Sequence, residues 1–365
     1  MISKMLWIEL VLWLTVAFTN LGCSERDVSE DAQIGYSGGR PLTVARMNAT
    51  DHGAVLRHGQ CPDDCDIFGA RDVWVFEYEG QYLMHYDGAG INGWKASLAV
   101  SNDLINWEKR GYILKLGDEG YDDAGAACYG TVFHDGDGWH MYYLGTPNTS
   151  KKPYLIPSFP YNTLKATADS PYGPWEKQYG VSQVNTVEGT YYSTSASPGF
   201  IVKDDAEYMQ FISVSDDYLD RTLAIARTSR LDSDWILDEA PILPASEQIE
   251  NSSIYYEEQN KTWFLFTNHV GIDDEGLEYS DAVLVYWTKD LNKWSSDNKA
   301  IVLDSQNSTW SKKVIGLPSV VRHGNRLAIF YDGRFSSNGG DDTSLHMYRD
   351  IGLAWIDLPL SPPFL

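Results

Sequence analysis

ENSSIYYEEQNKTWFLFTN, residues 250–268, contains two runs of β-forming residues on either side of a polar turn at 258–261. Aromatic and branched side chains fill both runs, as is typical of a β-hairpin. A carboxylate, Glu250, stands at the head of the first run. The meaning of this carboxylate depends on whether the hairpin is unique in the chain or one of a set.

The hairpin pattern is repeated along the chain. It recurs at residues 72–88, 129–145, 197–213 and 316–333. A third β-run follows each hairpin, at 96–100, 163–167, 222–226, 282–287 and 345–348. Each unit then reaches a tryptophan, and these are Trp107, Trp175, Trp235, Trp294 and Trp355. The near-constant spacing of the tryptophans indicates a repeat architecture.

Five units of three or four strands, with almost no amphipathic helix between them, predict small sheets repeated around an axis. The predicted fold is therefore all-β, a five-bladed β-propeller. The alternatives are a large sandwich, which has no reason to repeat the tryptophan, and a β-helix, whose repeats are shorter. We expect the five tryptophans to pack between blades as core residues rather than to bind sugar.

The composition bounds the partners of the protein. The chain has 365 residues, a formal charge of −23 and 43% apolar residues, which suffice for a sizeable core. A nucleic acid or an anionic membrane surface would require clustered lysine and arginine, so neither is expected as a partner. The acidic balance fits a protein that works outside the cytoplasm.

The first 23 residues are predicted to be a lipoprotein-type signal peptide. Lys4 precedes an apolar run, and Asn20-Leu21-Gly22-Cys23 resembles a bacterial lipobox, with Asn20 where leucine is usual. The alternative is a plain secretory signal. Residues 24–60 are interpreted as a tether and leading segment, part of which helps to close the ring, and 61–365 as the propeller. We expect an exported protein, either periplasmic or an outer-membrane or cell-surface lipoprotein anchored only through Cys23.

Three cysteines remain after the signal segment. Cys61 and Cys65 could close a small disulfide in an oxidising compartment. A zinc site would need more cysteine or histidine nearby, so no metal is predicted there. Cys128 has no obvious partner and is expected to be a buried thiol.

The residues that head the five hairpins are expected to face a common point, because the first strand of each propeller blade lines the central channel. These residues are Asp72, Tyr129, Ser197, Glu250 and Gly316. Two of them are carboxylates from separate units. Paired carboxylates are what hydrolysis of a glycosidic bond requires, one as acid and one as base or nucleophile.

The stretch that begins at Asp72, DVWVFEYEGQY, and the stretch that begins at Glu250, ENSSIYY, resemble the openings of blades one and four in glycoside hydrolase family 43. Families 32, 117 and 130 are more distant relatives of this group. The resemblance covers about residues 66–360. It implies a five-bladed propeller glycosidase in which Asp72 is the general base and Glu250 the general acid.

The sequence departs from this family in two places. The family's third carboxylate should head blade three, where this chain has Ser197 before Pro198. Since a neutral serine cannot raise the pKa of Glu250, we expect a substitute carboxylate. Asp123, with its neighbour Asp122, is the leading candidate, and Asp332 and Asp281 are others. Blade five also lacks the family's histidine near Gly316, so no cofactor is expected and a structural calcium is doubtful.

Further residues are candidates for binding substrate. Trp74 and Trp94 lie outside the repeated tryptophan series and could stack on a sugar. Arg71 adjoins Asp72 and would keep the base ionised. The remaining candidates, each with the alternative of a structural polar residue, are His85, His269, Arg334 and Ser197.

The predicted function is a glycoside hydrolase that releases a terminal sugar from a plant or algal polysaccharide or oligosaccharide, with inversion expected by analogy. Insertions at 146–162 and 271–281 should shape the pocket, since loops on a propeller face carry specificity. Two alternatives stay open. One is a non-catalytic glycan-binding lipoprotein on the same fold, and the other is a glycoside phosphorylase.

Overall fold

A computed structural model describes residues 40–204, 206–216, 220–272, 278–335 and 345–363. The predicted signal peptide and residues 24–39 of the predicted tether lie outside these residues. The described chain is nearly all β-strand, with single 3-10 turns at Pro62–Asp64 and Ala245–Glu247. Within the described ranges, no helix is long and apolar enough to cross a membrane.

Twenty of the 22 strands form five antiparallel meanders of four strands each. Meander 1 contains β2 (Ala70–Tyr78), β3 (Gln81–Gly90), β4 (Gly93–Ser101) and β5 (Glu108–Tyr112). Meander 2 contains β6 (Ala126–His134), β7 (Trp139–Thr146), β10 (Asn162–Ala168) and β11 (Glu176–Lys177). Meander 3 contains β12 (Ser195–Asp204), β13 (Glu207–Ser215), β14 (Arg221–Thr228) and β15 (Ile236–Leu237).

Meander 4 contains β16 (Ile249–Glu257), β17 (Thr262–Ile272), β18 (Glu278–Thr288) and β19 (Lys299–Asp304). Meander 5 contains β20 (Ser319–His323), β21 (Arg326–Gly333), β22 (Asp350–Asp357) and, as its outer strand, β1 (Thr50–Leu56). The last two strands, β8 (Asn148–Thr149) and β9 (Pro157–Ser158), form a small separate hairpin within meander 2.

The first strands of the meanders lie side by side. In each case a hydroxyl side chain of one strand bonds to the backbone of its neighbour. The pairs are Val75 N to Ser319 Oγ (2.8 Å), Val320 N to Ser253 Oγ (3.0 Å), Phe200 N to Ser252 Oγ (2.9 Å) and Thr131 Oγ1 to Gly199 O (3.0 Å). These bonds join β2 to β20, β20 to β16, β16 to β12 and β12 to β6.

Four of the five repeated tryptophans pack against the second strand of a neighbouring meander. The ring pairs are Trp107 with Phe330, Trp175 with His85, Trp235 with Tyr142, and Trp294 with Phe211, at centroid distances of 5.4 to 6.1 Å. Meanders 2, 3 and 4 each contact the preceding meander in this way, and meander 1 contacts meander 5. For these four of the five tryptophans, the prediction that they pack between repeat units is confirmed.

The fifth unit differs from its prediction. Residues 345–348 were expected to be its third strand, but that strand is β22, and Tyr348 lies in a turn with a φ of 57°. Trp355 lies on β22 itself, with its ring 4.1 Å from the Arg326 guanidinium of the same meander. The reason is that β1, from the N-terminal part of the chain, supplies the outer strand by pairing with β22. Within the described residues no fourth strand follows β22 along the chain, so Trp355 is not placed like the other four tryptophans.

The cysteines follow the sequence prediction. Cys61 and Cys65 form a disulfide, and Cys128 is a buried free thiol. Among the described residues, the one cluster with metal-ligand spacing is Cys61, Cys65 and Asp66. Both of its sulfur atoms are bonded to each other, so they are not available as thiolate ligands.

Candidate functional site

A cavity of about 340 Å³ opens where the first strands of the meanders begin. Residues from all five meanders or their loops line it. Its charged and titratable lining residues are Arg71, Asp72, Asp87, Cys128, Tyr129, Tyr161, Arg221, Glu250, Glu278 and His346. Four carboxyl groups therefore lie in one small cavity with two guanidinium groups, and the surroundings of each carboxyl group determine its charge.

Irregular backbone aims the strand heads at this cavity. Strands β2, β6, β12 and β16 each have a register shift near their start. Asp72 lies within the shift of β2 with a φ of 47°, and Asn251 lies within that of β16 with a φ of 62°. A bulge redirects side chains, and a left-handed conformation in a non-glycine residue costs of order 1–3 kcal/mol. Such a cost is typical of functional sites.

Asp72 is held from two sides. Nε and Nη2 of Arg71 donate to its two carboxylate oxygens at 2.9 and 3.3 Å. Its backbone N–H donates to Asp332 Oδ2 at 3.0 Å, and Asp332 in turn pairs with Arg349 at 3.0 Å. A Cβ on Gly316 would lie 2.0 Å from Asp332 Oδ1, so the fifth hairpin has to begin with glycine for this support to fit.

Asp87 is a second carboxyl group beside Asp72. It lies at the end of β3, opposite Arg71, is 2% exposed, and accepts a hydrogen bond from the Tyr129 backbone N–H. Burial, followed by the charge of Asp72, raises the pKa of Asp87 well above its usual range. The interaction between the two carboxyl groups also raises the pKa of Asp87. The surroundings of Asp87 therefore favour its protonated form, which is able to donate a hydrogen bond to Asp72.

Glu250 lies across the cavity on β16. Oε1 is 3.5 Å from Asn268 Nδ2, and Oε2 is 3.6 Å from Arg221 Nη1. Burial raises the pKa of Glu250, and the charges of Glu278 and Asp72 raise it further against the opposing effect of Arg221. A carboxyl group that holds its proton in a cavity with an ionised partner is suited to act as a general acid.

Glu278, at the start of β18, forms a closer pair with Arg221. Arg221 Nη2 donates to Glu278 Oε2 at 2.5 Å. Burial raises the pKa of Glu278, but the charge and hydrogen bond of Arg221, together with its other basic neighbours, outweigh burial and hold the pKa below the usual range. Glu250 and Glu278 thus share one arginine and differ in protonation.

His346 supplies a neutral donor. Burial lowers its pKa to about 4. Its Nδ1 lies 3.0 Å from Arg71 Nη1, and because a guanidinium can only donate, Nδ1 is the acceptor. The proton of the neutral ring is therefore on Nε2, where it can serve a substrate hydroxyl.

An apolar wall faces these polar groups. Leu144, Ile156 and Phe159 line the cavity, the last two from the insertion that contains β8 and β9. Trp94 anchors this insertion, since its Nε1 donates to Tyr154 O at 2.8 Å. The insertion at 146–162 thus forms part of the cavity wall.

Five of the predicted site residues reach the cavity. They are Asp72, Glu250, Arg71, Trp94 and Ser197. Ser197 Oγ is 2.9 Å from Ser195 Oγ, so the position that heads meander 3 carries a neutral pair of hydroxyl groups.

The other five lie outside the cavity lining. Asp123 is buried in an ion pair with Lys177 and accepts from Tyr143 at 2.7 Å. Trp74 packs on Phe200, and His85 lies between sheets with its pKa lowered to about 4 by burial. His269 Nδ1 pairs with Asp281 at 2.8 Å, and the backbone N–H of Arg334 donates to Ser311 Oγ at 2.9 Å.

The other suggested substitutes for the third carboxylate also lie outside the cavity lining. Asp122 is exposed, Asp332 is buried behind Asp72, and Asp281 is paired with His269 and Arg40.

Sequence reasoning missed Asp87, Arg221, Glu278 and His346. A signal for three of them was present. In an antiparallel meander the end of the second strand and the start of the third lie at the same edge as the head of the first. Asp87 lies near the end of β3, whereas Arg221 and Glu278 begin β14 and β18. His346 lies in a turn before β22, and no repeat position marks it.

No protein-family model and no curated protein sequence matches this chain. Solved structures do match, and the chain shares its β-propeller-like fold with glycoside hydrolases of families 43 and 62. The structure of BT0996 in an RGII complex has a TM-score of 0.65 at 13% identity, over 88% of this protein and 96% of that one.

Two further structures are similar. The catalytic domain of the GH62 α-L-arabinofuranosidase from Coprinopsis cinerea has a TM-score of 0.58 at 14% identity, over 85% of this protein and 97% of that one. The GH43 β-1,3-galactosidase BT3683 with galactodeoxynojirimycin has a TM-score of 0.55 at 16% identity, over 85% and 97%.

Proposed function

We propose that this protein is a glycoside hydrolase that releases a terminal sugar from plant or algal polysaccharides or oligosaccharides. The observation that carries the proposal is the pair Asp72 and Glu250. They come from different meanders, line one cavity and differ in surroundings, because Asp72 is bound by Arg71 and Glu250 is buried with a raised pKa. Two carboxyl groups with opposite protonation are the requirement of glycoside hydrolysis.

We further infer that the five meanders are five blades of one propeller. The support is the order of the contacts, in which β2, β20, β16, β12 and β6 follow one another and Trp107 of meander 1 packs on Phe330 of meander 5. Asp72 and Glu250 are then drawn to a common axis although they are far apart in sequence.

In the proposed reaction, Glu250 gives its proton to the glycosidic oxygen as the bond from that oxygen to the anomeric carbon breaks. Asp72 takes a proton from a water molecule, whose oxygen attacks the anomeric carbon from the opposite face. This sequence inverts the anomeric configuration. In this proposal Arg71 holds the Asp72 carboxylate in an ion pair, and the protonated Asp87 beside it donates a hydrogen bond that orients it.

The proposed action on a chain end rests on the shape of the cavity. Its volume is about 340 Å³, and the 146–162 insertion contributes Ile156, Pro157, Ser158, Phe159 and Tyr161 to its lining. A cavity bounded in this way favours a terminal residue over the interior of a long chain. The similar arabinofuranosidase and galactosidase make arabinofuranosyl and galactosyl oligosaccharides the first substrates to try.

Export and a lipid anchor on Cys23 are part of the proposal. They rest on the N-terminal sequence alone and are tested by labelling the expressed precursor with a fatty acid, with Cys23→Ser as the control.

The test of the activity is product release by residues 24–365 from arabinofuranosyl, galactosyl and other plant and algal oligosaccharides. Asp72→Asn and Glu250→Gln should each lower turnover by about 10²–10⁴-fold, the usual contribution of one acid or base. Glu258→Gln, at an exposed glutamate of the same meander, is the matched control and should be unchanged. Binding of a glycan without release would favour the non-catalytic alternative.

A further inference from the structure

Arg221 lies between two carboxyl groups and pairs closely with only one of them. Nη2 donates to Glu278 at 2.5 Å, whereas Nη1 is 3.6 Å from Glu250, beyond hydrogen-bond distance. The Arg221 side chain is 7% exposed, and among the described residues its Nη1 has no hydrogen-bond partner. One nitrogen of this buried guanidinium thus pairs with Glu278, and the other is directed at Glu250, the proposed acid.

The unequal pairing has an electrostatic consequence. A lone arginine beside Glu250 would favour the charged carboxylate and remove the proton that an acid catalyst needs. Because the negative charge of Glu278 opposes the positive charge of Arg221, burial is left to favour the protonated form of Glu250. This effect does not require a carboxylate on the first strand of meander 3.

Among the carboxyl groups of the cavity, only Glu278 is suited to this task. Asp72 is committed to Arg71, and Asp87 holds its proton. Position 197, where the family resemblance expects a carboxylate, carries a serine hydroxyl bonded to Ser195. Asp123 is neutralised by Lys177 outside the cavity lining.

We propose that Glu278, by pairing with Arg221 and opposing its charge, keeps the buried Glu250 protonated, in place of a carboxylate at position 197. This inference rests on the proposed function. Glu278 and Arg221 act through Glu250 and are positioning residues. The charged and titratable groups that face Glu250 are Arg221 on β14, Glu278 on β18, Arg71 and Asp72 on β2, and Tyr129 on β6.

The other nitrogen of Arg221, Nη1, has a role once Glu250 has transferred its proton. When the Glu250 proton moves to the glycosidic oxygen, the electron pair of the broken bond stays on that oxygen and Glu250 becomes an anion. Arg221 Nη1 is then available to bind the new carboxylate after a small movement from 3.6 Å. Glu278 would therefore help to hold the proton before the reaction, and Arg221 would stabilise the Glu250 anion that forms during the reaction.

The test is a direct titration of Glu250 by NMR in protein labelled with ¹³C at the glutamate carboxyl carbon, with the Glu250→Gln spectrum used for assignment. Glu278→Gln keeps an acceptor for Arg221 but removes the charge, and it should lower the pKa of Glu250 by about one unit or more. Arg221→Gln removes the attraction and should raise it. Glu258→Gln is the control and should leave it unchanged.

Opposite shifts of the Glu250 pKa in the two variants distinguish this electrostatic effect from a general disturbance of the fold, which would shift the pKa in the same direction in both. The inference is overturned if Glu250 titrates at the same pH in wild type and Glu278→Gln, or if both variants shift in one direction. The alkaline limb of kcat/KM should follow the same two shifts. An inactive wild type with the expected titrations would reject the hydrolase and leave the electrostatic device supported, so the two failures are distinguishable.

Discussion

The protonation of each carboxyl group in the cavity is set by burial and by a few charged neighbours. Arg71 holds Asp72, Arg221 holds Glu278, and burial keeps protons on Asp87 and Glu250. The pattern leaves one ionised and one protonated group on each side of the cavity. Small changes at these residues should therefore alter proton positions more than they alter the fold.

Asp87→Asn tests whether Asp87 is a donor or a base. An amide can still donate to Asp72 and accept from the Tyr129 N–H, so kcat/KM should stay within about tenfold of wild type, compared with the 10²–10⁴-fold loss expected for Asp72→Asn. Steady-state kinetics on the cleaved substrate provide the measurement. Equal losses in the two variants would mean that Asp87 is itself the base.

The same variant should change how stability depends on pH. The pKa of Asp87 is raised on folding, so the native state holds a proton that the unfolded state has lost above pH 3.8, and stability falls as pH rises from there towards the folded pKa. Asp87→Asn removes this term. Its free energy of unfolding relative to wild type should rise with pH above about 4, by at most about 1.4 kcal/mol per pH unit. A difference independent of pH between 4 and 8 in urea unfolding would contradict a raised pKa.

At this scale the sequence predicted only part of the site. Asp72 and Glu250 could be predicted from the sequence because each heads a strand and the stretch that it begins resembles a known motif. Asp87, Arg221 and Glu278 depend on which strand ends meet at one edge, and His346 depends on the fold of a turn. Ser197 is the clearest example. The sequence showed that the family's carboxylate is missing at this position, but it did not point to Glu278, the residue proposed to take its place.

The meanders are joined by the tryptophans that follow their third strands. Trp235 is 6% exposed and packs on Tyr142 of the neighbouring meander at 5.4 Å. Trp235→Ala should lower the free energy of unfolding by about 3–5 kcal/mol because it leaves a cavity between two sheets. Ile236→Ala, at the next residue with 73% exposure, should change it by less than about 0.5 kcal/mol. Equal effects in urea unfolding would contradict an inter-sheet role for Trp235.

The elements that follow the local pattern were predictable. Alternating hydrophobic runs and polar turns predicted the hairpins because each pairs with its sequence neighbour. The third strand of meander 5 was misassigned because its outer neighbour is β1, about 300 residues away, and such pairing leaves no local signal.

At the scale of the whole molecule, β1 connects the two ends of the described chain. Thr50–Leu56 pairs with β22 and covers its edge. A chain that begins at residue 57 should leave that edge exposed, with a lower melting temperature and more aggregation than a chain that begins at residue 40, which keeps every described strand. Thermal melts with light scattering measure both effects. Equal melting temperatures would contradict a closing role for β1.

The central claim is that Glu250 donates a proton to a leaving sugar oxygen, and it is tested most directly by varying how much the leaving group needs that proton. We would measure kcat/KM of wild type and Glu250→Gln on the aryl glycoside and on the natural oligosaccharide of the sugar that the protein releases. A nitrophenolate leaves without protonation, so the variant should lose about 10²–10⁴-fold on the oligosaccharide and far less on the aryl glycoside. Equal losses on both substrates, or none on either, would contradict the assignment of Glu250 as the acid.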